Sequence, residues 1–235
     1  MRRLARETEA KFLVKDPSVC RTLKRLTTLG PFRLHRKRRE VQTNVYWDTP
    51  DLRLRRARAA LKLRTIGSRG ELTFKREVSY RGGVSERIEV TVAVAPRRVR
   101  GLNPRLDLEP VRRARQITGR RPWERVLTLK TVRDKRIFTD ANGKIELDID
   151  RVSVLQGRSF DPVRPEQGRR TNVAQNRRLV VTYDEVELEN LDAPEAAFRR
   201  ALAQLRRRFA GGLRPSRLSK YEIGLRLRRT WSKTV

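Results

Sequence analysis

The sequence predicts an α+β protein built on a closed antiparallel β-barrel, with charge inside and helices packed outside. Three observations carry that expectation. Many segments alternate charged and aliphatic residues, so each strand presents charge on one face and hydrocarbon on the other. Whole strand faces carry one sign: Glu7/Glu9, Glu146–Asp150 and Glu185–Glu189 are acidic, while Lys62/Arg64, Lys75 and the Arg133 segment are basic. Hydrophobic residues make up 37% of the 235-residue chain, enough for a core although 36% are charged. A sheet with one wet face also alternates, but its polar side would mix Ser, Thr, Lys and Glu. Three carboxylates in a row repel unless cations face them. A barrel of about eight strands with inward polar faces supplies those cations and has room for one small ligand.

The elements follow in chain order. Glu7, Glu9 and Lys11 alternate with Thr8, Ala10 and Phe12. Asp16-Pro17 opens a helix to Leu29, stopped by Gly30-Pro31. Arg33–Arg39, a run of cations around His35, reads as a solvated loop. Lys62 and Arg64 alternate with Leu61 and Leu63, Thr73 and Lys75 with Leu72 and Phe74, Arg87 and Glu89 with Ile88 and Val90. Asp107–Thr118 reads as a helix between Pro104 and Gly119. Val126–Phe138 reads as a strand of open register, in which Lys130, Arg133 or Arg136 can face inward. Glu146, Asp148 and Asp150 alternate with Ile145, Leu147 and Ile149, and Glu185, Glu187 and Glu189 with Val186 and Leu188. Between those two strands, Gln156–Gln175 is rich in Pro, Gly, Arg and Gln and reads as a long loop. Pro194–Ala210 is the clearest helix, with Asp192 as its candidate cap, Gly211-Gly212 as its end, and Phe198, Ala201, Leu202, Leu205 and Phe209 as its apolar stripe. Gly67–Gly70, Arg81–Gly83 and Asp140–Gly143 read as linkers or turns. The pattern spans residues 1–235 as one domain, with 228–235 as a tail.

Composition narrows the function. The net charge is +31, carried by 47 Arg and 11 Lys against 27 Asp and Glu. Polyanions are the first suspects: nucleic acid, polyphosphate, nucleotides or an anionic membrane. A GC-rich genome would also write Arg at tolerant surface positions. The single Cys20 excludes a disulfide scaffold and a Cys-based zinc site, and reads as a small apolar side chain. The lone His35 excludes a multi-His metal site. No apolar run approaches the roughly 18 residues of a membrane span, and Met1–Lys11 carries no signal segment. A soluble cytoplasmic protein is expected. Aromatics are 6% and rarely interleave with the Arg runs, which argues against a stacking platform for single strands.

Seven blocks in order then form a larger pattern. They are Glu7-Thr8-Glu9-Ala10-Lys11, Tyr46–Leu54 (YWDTPDLRL), Ala60–Arg64 (ALKLR), Glu71–Arg76 (ELTFKR), Ser85–Glu89 (SERIE), Asp184–Glu189 (DEVELE) and Ser219-Lys220-Tyr221. This series resembles the CYTH superfamily, also called triphosphate tunnel metalloenzymes, over about residues 1–227. Lys62 stands where that family more often has Arg, and Val126–Phe138 matches poorly. The resemblance implies an eight-stranded tunnel that binds a triphosphate with divalent metal. It implies hydrolysis of a small triphosphate, or, on the same scaffold, cyclic AMP formation from ATP by a class IV adenylyl cyclase.

The chemistry of such a substrate explains the two signs. A triphosphate needs fixed cations that donate to its oxygens, and Lys11, Lys62, Arg64, Lys75, Arg87, Arg133 and Lys220 are the candidates. Carboxylates beside it repel it unless metal intervenes. Glu7, Glu9, Asp150, Glu185, Glu187 and Glu189, with Asp148 nearby, offer all-oxygen ligands suited to Mg²⁺ or Mn²⁺. The alternative is that they form salt bridges with tunnel cations. By resemblance, Glu7 and Glu9 pair across the tunnel with two of Glu185, Glu187 and Glu189. Glu9 and Lys11 are the leading catalytic candidates, and Glu89 is a second choice for orienting water. The expected activity is metal-dependent hydrolysis of inorganic triphosphate or a related small triphosphate or polyphosphate. The alternatives are the cyclase and a polyphosphate- or nucleic-acid-binding protein that uses its basic exterior. A monomer or homodimer is expected, without membrane attachment.

Overall fold

A computed structural model describes residues 5–99, 101–156 and 178–231. Most of the loop expected at 156–175 and the end of the expected tail lie outside the described residues. In chain order the elements are β1 (Ala5–Val14), α1 (Ser18–Leu23), β2 (Thr28–Leu29), β3 (Phe32–Asp48), α2 (Arg53–Arg56), β4 (Ala59–Ile66), β5 (Arg69–Arg81), β6 (Val84–Val94), α3 (Glu109–Thr118), β7 (Glu124–Asp140), β8 (Gly143–Gln156), β9 (Arg178–Asn190), α4 (Glu195–Arg208), β10 (Leu213–Pro215) and α5 (Lys220–Trp231).

Eight strands pair antiparallel in the order β1-β6-β5-β4-β3-β7-β8-β9, and β9 pairs back onto β1 to close the barrel. Closure removes sheet edges that would otherwise need cover. Short β2 and β10 add to β3 and to the end of β1. The expected turns at Gly67, Gly82-Gly83 and Asn142 join neighbouring strands as hairpins.

The alternation sorts side chains as expected. Outward faces of β1, β7, β8 and β9 supply Phe12, Phe138, Leu147 and Leu188 to a core under α1 and α4, where Leu23, Phe198 and Leu205 pack. Outward faces of β3, β4 and β5 supply Trp47, Leu63 and Phe74 to a second core under α2 and α3. A third core lies inside the barrel. The inward positions of β7, β8 and β9 change from charged to apolar along the strands, ending in Leu129 and Leu127, Val152 and Val154, and Tyr183 and Val181. Helix α5 packs into that end with Tyr221 and Leu225. Gly224 permits the approach, since a Cβ there would meet Leu127 Cδ2 at 2.6 Å. Among the described residues, no helix is long and apolar enough to cross a membrane.

Several expectations are corrected. The Arg33–Arg39 loop is the start of β3, paired with β7 over Arg33–Arg39 and Thr139–Asp134. Its cations sit on an exposed strand, and His35 falls at a register shift between Leu34 and Arg36, where one extra residue leaves the ladder. The first helix ends at Leu23 rather than Leu29, because Thr28-Leu29 pairs with Phe32-Arg33 across Gly30, whose φ of 59° suits a tight turn. Asp192 does not cap α4: its carboxylate accepts from Lys144 N at 2.6 Å, and Pro194 holds the cap position. The tail expected from residue 228 is helical as far as Trp231.

Candidate active site

Every inward strand position near mid-barrel carries a polar group. The parity that puts Ala10, Leu61, Phe74, Leu147 and Leu188 outside puts Glu9, Lys62, Lys75, Asp148 and Glu187 inside. Lys62, Lys75 and Glu187 among them line a cavity of about 240 Å³. Lys62, Arg64 and Lys75 form one wall from β4 and β5, and Glu7, Glu146, Glu187 and Glu189 face them from β1, β8 and β9.

Around Lys220 and Arg133 the charges are already paired. Asp150, Glu185 and Glu187 bring carboxylate oxygens within 4.8 Å of one another, the spacing of a metal site. The Lys220 ammonium lies among them, 3.0 Å from Asp150, 2.5 Å from Glu185 and 2.9 Å from Glu187. Arg133 holds both oxygens of Asp150 at 2.8 and 2.6 Å, reaches Glu187 at 2.8 Å, and touches Asp148. Lys11 contacts Glu187 and lies 3.3 Å from Glu9, which also takes Arg87 at 2.5 Å. Burial pushes Glu185 up to about 7, although Lys220 and Lys11 pull the other way.

The cavity lining is less balanced. Glu7 takes Lys75 at 2.8 Å, and Lys75 reaches Glu89 at 2.5 Å. Burial works against ionisation of Glu89, but Lys75 and Lys62 hold it down at about 2. Glu189 stands opposite Glu9 in the β1–β9 ladder and opposite Glu146 in the β8–β9 ladder. Burial and repulsion from Glu7 push Glu189 up to about 8. On the other wall, Lys62 is buried without a carboxylate in ion-pair distance among the described residues. Burial, then Arg64 and Lys75, lower its pKa well below the usual lysine value. Arg64 reaches only the Asn44 amide oxygen at 3.5 Å and Glu71 at 3.9 Å. Two cations therefore face the cavity with little neutralisation, opposite a carboxylate held toward its neutral form.

The CYTH domain signature matches residues 5–222. The chain belongs to the CYTH domain family. Among solved structures it is similar to HpAC1 from Hippeastrum, described as a candidate adenylyl cyclase with a dominant triphosphatase activity. The TM-score is 0.62 at 20% identity, covering 94% of this chain and 95% of that one. It is also similar to a candidate adenylate cyclase from Bacillus halodurans, with a TM-score of 0.58 at 18% identity, covering 92% and 96%. Both likenesses concern the fold.

In this CYTH domain all the residues expected at the site converge on the barrel interior. Of the three candidates on β7, Arg133 faces inward; Lys130 is exposed, and Arg136 is buried with its guanidinium on Leu26 O at 2.8 Å. Several lining residues fall outside the expected site set, Gln42, Asn44, Glu146, Lys135 and Arg55 among them. Gln42 and Asn44 precede Tyr46 on β3 with the same period of two, a signal hidden while Arg33–Arg39 was read as loop. Glu146 and Lys135 share parity with Asp148 and Arg133 and pair at 2.8 Å. Arg55 reaches the cavity from α2, a helix too short to signal itself.

Proposed function

We propose that this CYTH domain binds a small inorganic triphosphate in the barrel and hydrolyses it with the help of a divalent cation. Water adds across a P–O–P bridge, giving orthophosphate and diphosphate. The observation that carries this reading is the division of the cavity: under-neutralised Lys62 and Arg64 face an acidic wall where Glu189 is raised to about 8. A polyphosphate chain fits the first wall through charge-assisted hydrogen bonds. A divalent cation suits the second by charge, because it would relieve the repulsion among Glu7, Glu146 and Glu189, although among the described residues only Asp150, Glu185 and Glu187 bring their oxygens to metal spacing. The donors are carboxylate oxygens only, which suits Mg²⁺ or Mn²⁺. Asp150, Glu185 and Glu187 fit a metal less well, since Lys220 lies at their centre.

Bound there, the cation would neutralise phosphoryl oxygens and lower the pKa of a nearby water. The protein's own part is positioning and charge neutralisation, the main needs of phosphoryl transfer. Lys62, Arg64 and Lys75 grip the chain from β4 and β5. Glu9 holds Arg87 and Lys11 in place. Glu89, ionised down to about 2, is suited to orienting water by accepting its hydrogen bond. The cavity of about 240 Å³ lies below the about 300–1,000 Å³ typical of pockets for larger organic ligands. That supports a compact chain over a whole nucleotide, in keeping with the dominant triphosphatase activity described for the Hippeastrum protein.

The test is a panel of inorganic triphosphate, long-chain polyphosphate, ATP and thiamine triphosphate, each with Mg²⁺ and Mn²⁺. Orthophosphate release from triphosphate is expected. Folded protein that releases none with either metal refutes the proposal, and cyclic AMP as the main product from ATP would replace it with the cyclase.

A further inference from the structure

The Tyr46–Leu54 block contains a carboxylate that the proposed chemistry leaves unused. Asp48 ends β3 and is fully buried. No cation pairs with it in the contacts of the described residues; five hydrogen bonds hold it. Oδ1 accepts from Thr49 N at 2.7 Å, Leu54 N at 2.9 Å and the Thr49 hydroxyl at 3.4 Å. Oδ2 accepts from Arg55 N at 3.0 Å and from the Tyr221 hydroxyl at 2.9 Å. The three backbone donors fix the turn that starts α2, where Leu52 sits at φ 56°. The Tyr221 hydroxyl is not local, because it comes from the first turn of α5, next to Lys220.

We propose that the Asp48–Tyr221 hydrogen bond is a latch that holds Lys220 inside the barrel, which makes Asp48 and Tyr221 positioning residues. Apolar packing of Leu225 and Gly224, with Arg228 donating to Val126 O, fixes the body of α5 against β7, and the rotation and setting of its first turn depend on what holds Tyr221. A polar anchor has direction and sets both. Tyr221 lies flat on Tyr46, with ring centroids 5.1 Å apart and planes 6° apart, and its hydroxyl projects to Asp48. The start of α5 is itself closed by Ser219 and Glu222, which exchange hydrogen bonds of 2.9 and 3.2 Å. The turn between Ser219 and Glu222 is therefore stiff. Anchoring Tyr221 places its neighbour Lys220 among Asp150, Glu185 and Glu187. If the latch opens, α5 can stay buried while the ammonium withdraws and Glu185 loses its ion-pair partner. The same carboxylate fixes Arg55, which lines the cavity, so one group sets both sides of the site.

The structural part of this proposal stands without the hydrolase reading; only its catalytic consequence rests on it. Tyr221→Phe keeps the ring stack and removes the latch, and Asp48→Asn is the second variant should the first not fold. The first measurement is labelling of Lys220 by an amine-reactive reagent in the full chain, read by peptide mass spectrometry against exposed Lys15. Labelling of Lys220 should rise by about tenfold, the worth of one hydrogen bond. The second is a double-mutant cycle on triphosphate turnover. Tyr221→Phe should lower kcat/KM in the parent yet change nothing further in Lys220→Met, whereas a general packing defect would cost the same in both. Unchanged Lys220 labelling in either folded variant, or equal losses in both backgrounds, overturns the latch. A parent protein that labels as expected but does not hydrolyse triphosphate keeps the latch and refutes the hydrolase.

Discussion

Two groups of carboxylates share the barrel interior, and they differ in what balances them. Asp150, Glu185 and Glu187 surround the Lys220 ammonium, with Arg133 behind. Glu7, Glu146 and Glu189 share only Lys75 and Lys135 at one side, and Glu189 makes no ion pair among the described residues. The cations divide the same way: Arg133 and Lys220 are occupied, while Lys62 and Arg64 face the cavity nearly free. The spacing of oxygens alone would put a metal in the first group. The neighbouring charges already neutralise that group, and the proposed ligand site is therefore the second. An ionisable residue inside a barrel is thus informative only together with what already neutralises it.

The largest effect should come from breaking the balanced group. Arg133→Met strands Asp148 and leaves Asp150 with Lys220 alone, both buried, and should cost about 3–5 kcal/mol, read by urea unfolding. The matching change in the open group, Glu189→Gln, removes a carboxylate that its neighbours already disfavour. It should leave stability within about 1 kcal/mol or raise it. Divalent-cation binding by calorimetry, and phosphate release with it, should fall at least tenfold. If the two variants cost the same stability, the division into neutralised group and proposed site is wrong.

How much of this was legible depended on where each charge sat. Alternation placed Glu7, Lys62, Lys75, Arg87 and Glu187 inward, because a period of two survives inside a barrel as it does on an open sheet. It failed on β3, where Arg33–Arg39 has cations at every position but Leu34 and His35 and so no period to read. The sequence also carried no sign of which carboxylates would be neutralised. Lys220 lies 70 residues beyond Asp150 in number and reaches it only because α5 enters the barrel end. That helix was invisible as an element, since its apolar residues Tyr221, Ile223 and Leu225 also read as a strand.

A smaller effect sharpens the contrast on the cationic side. Lys62→Met should weaken triphosphate binding about 10–150-fold, the range for one charge-assisted hydrogen bond, while stability changes little because no carboxylate is orphaned. The pH dependence has a definite sign. Lys62 is depressed below 10.5 when folded, so the unfolded chain binds the extra proton. Its charge is a destabilising load at low pH that disappears as pH rises toward 10.5. A bound phosphate chain reverses the preference and draws a proton onto the amine. Metal-free triphosphate affinity should therefore fall as pH rises in the parent. It should fall less steeply in Lys62→Arg, whose charge does not titrate in this range. Parallel profiles would show that Lys62 does not face the chain.

The smallest effect is expected outside the barrel, where the comparison is between cations that line the cavity and cations that do not. Arg36, Lys37 and Arg39 are exposed on β3, and Lys37 pairs with Arg136 directly across the β3–β7 ladder. Like charges facing across strands repel, so Lys37→Gln should raise the urea midpoint slightly. These residues take no part in the cavity. The triple change Arg36→Gln, Lys37→Gln and Arg39→Gln should therefore alter triphosphate kcat/KM by less than about twofold, since exposed charges are screened by salt. If the basic exterior binds DNA non-specifically, its slope of log affinity against log salt should become shallower with the loss of three exposed cations. A drop in triphosphate turnover as large as that of Lys62→Met would mean that the phosphate chain runs out of the cavity along β3. The interior and exterior charges would then have to be read as one surface.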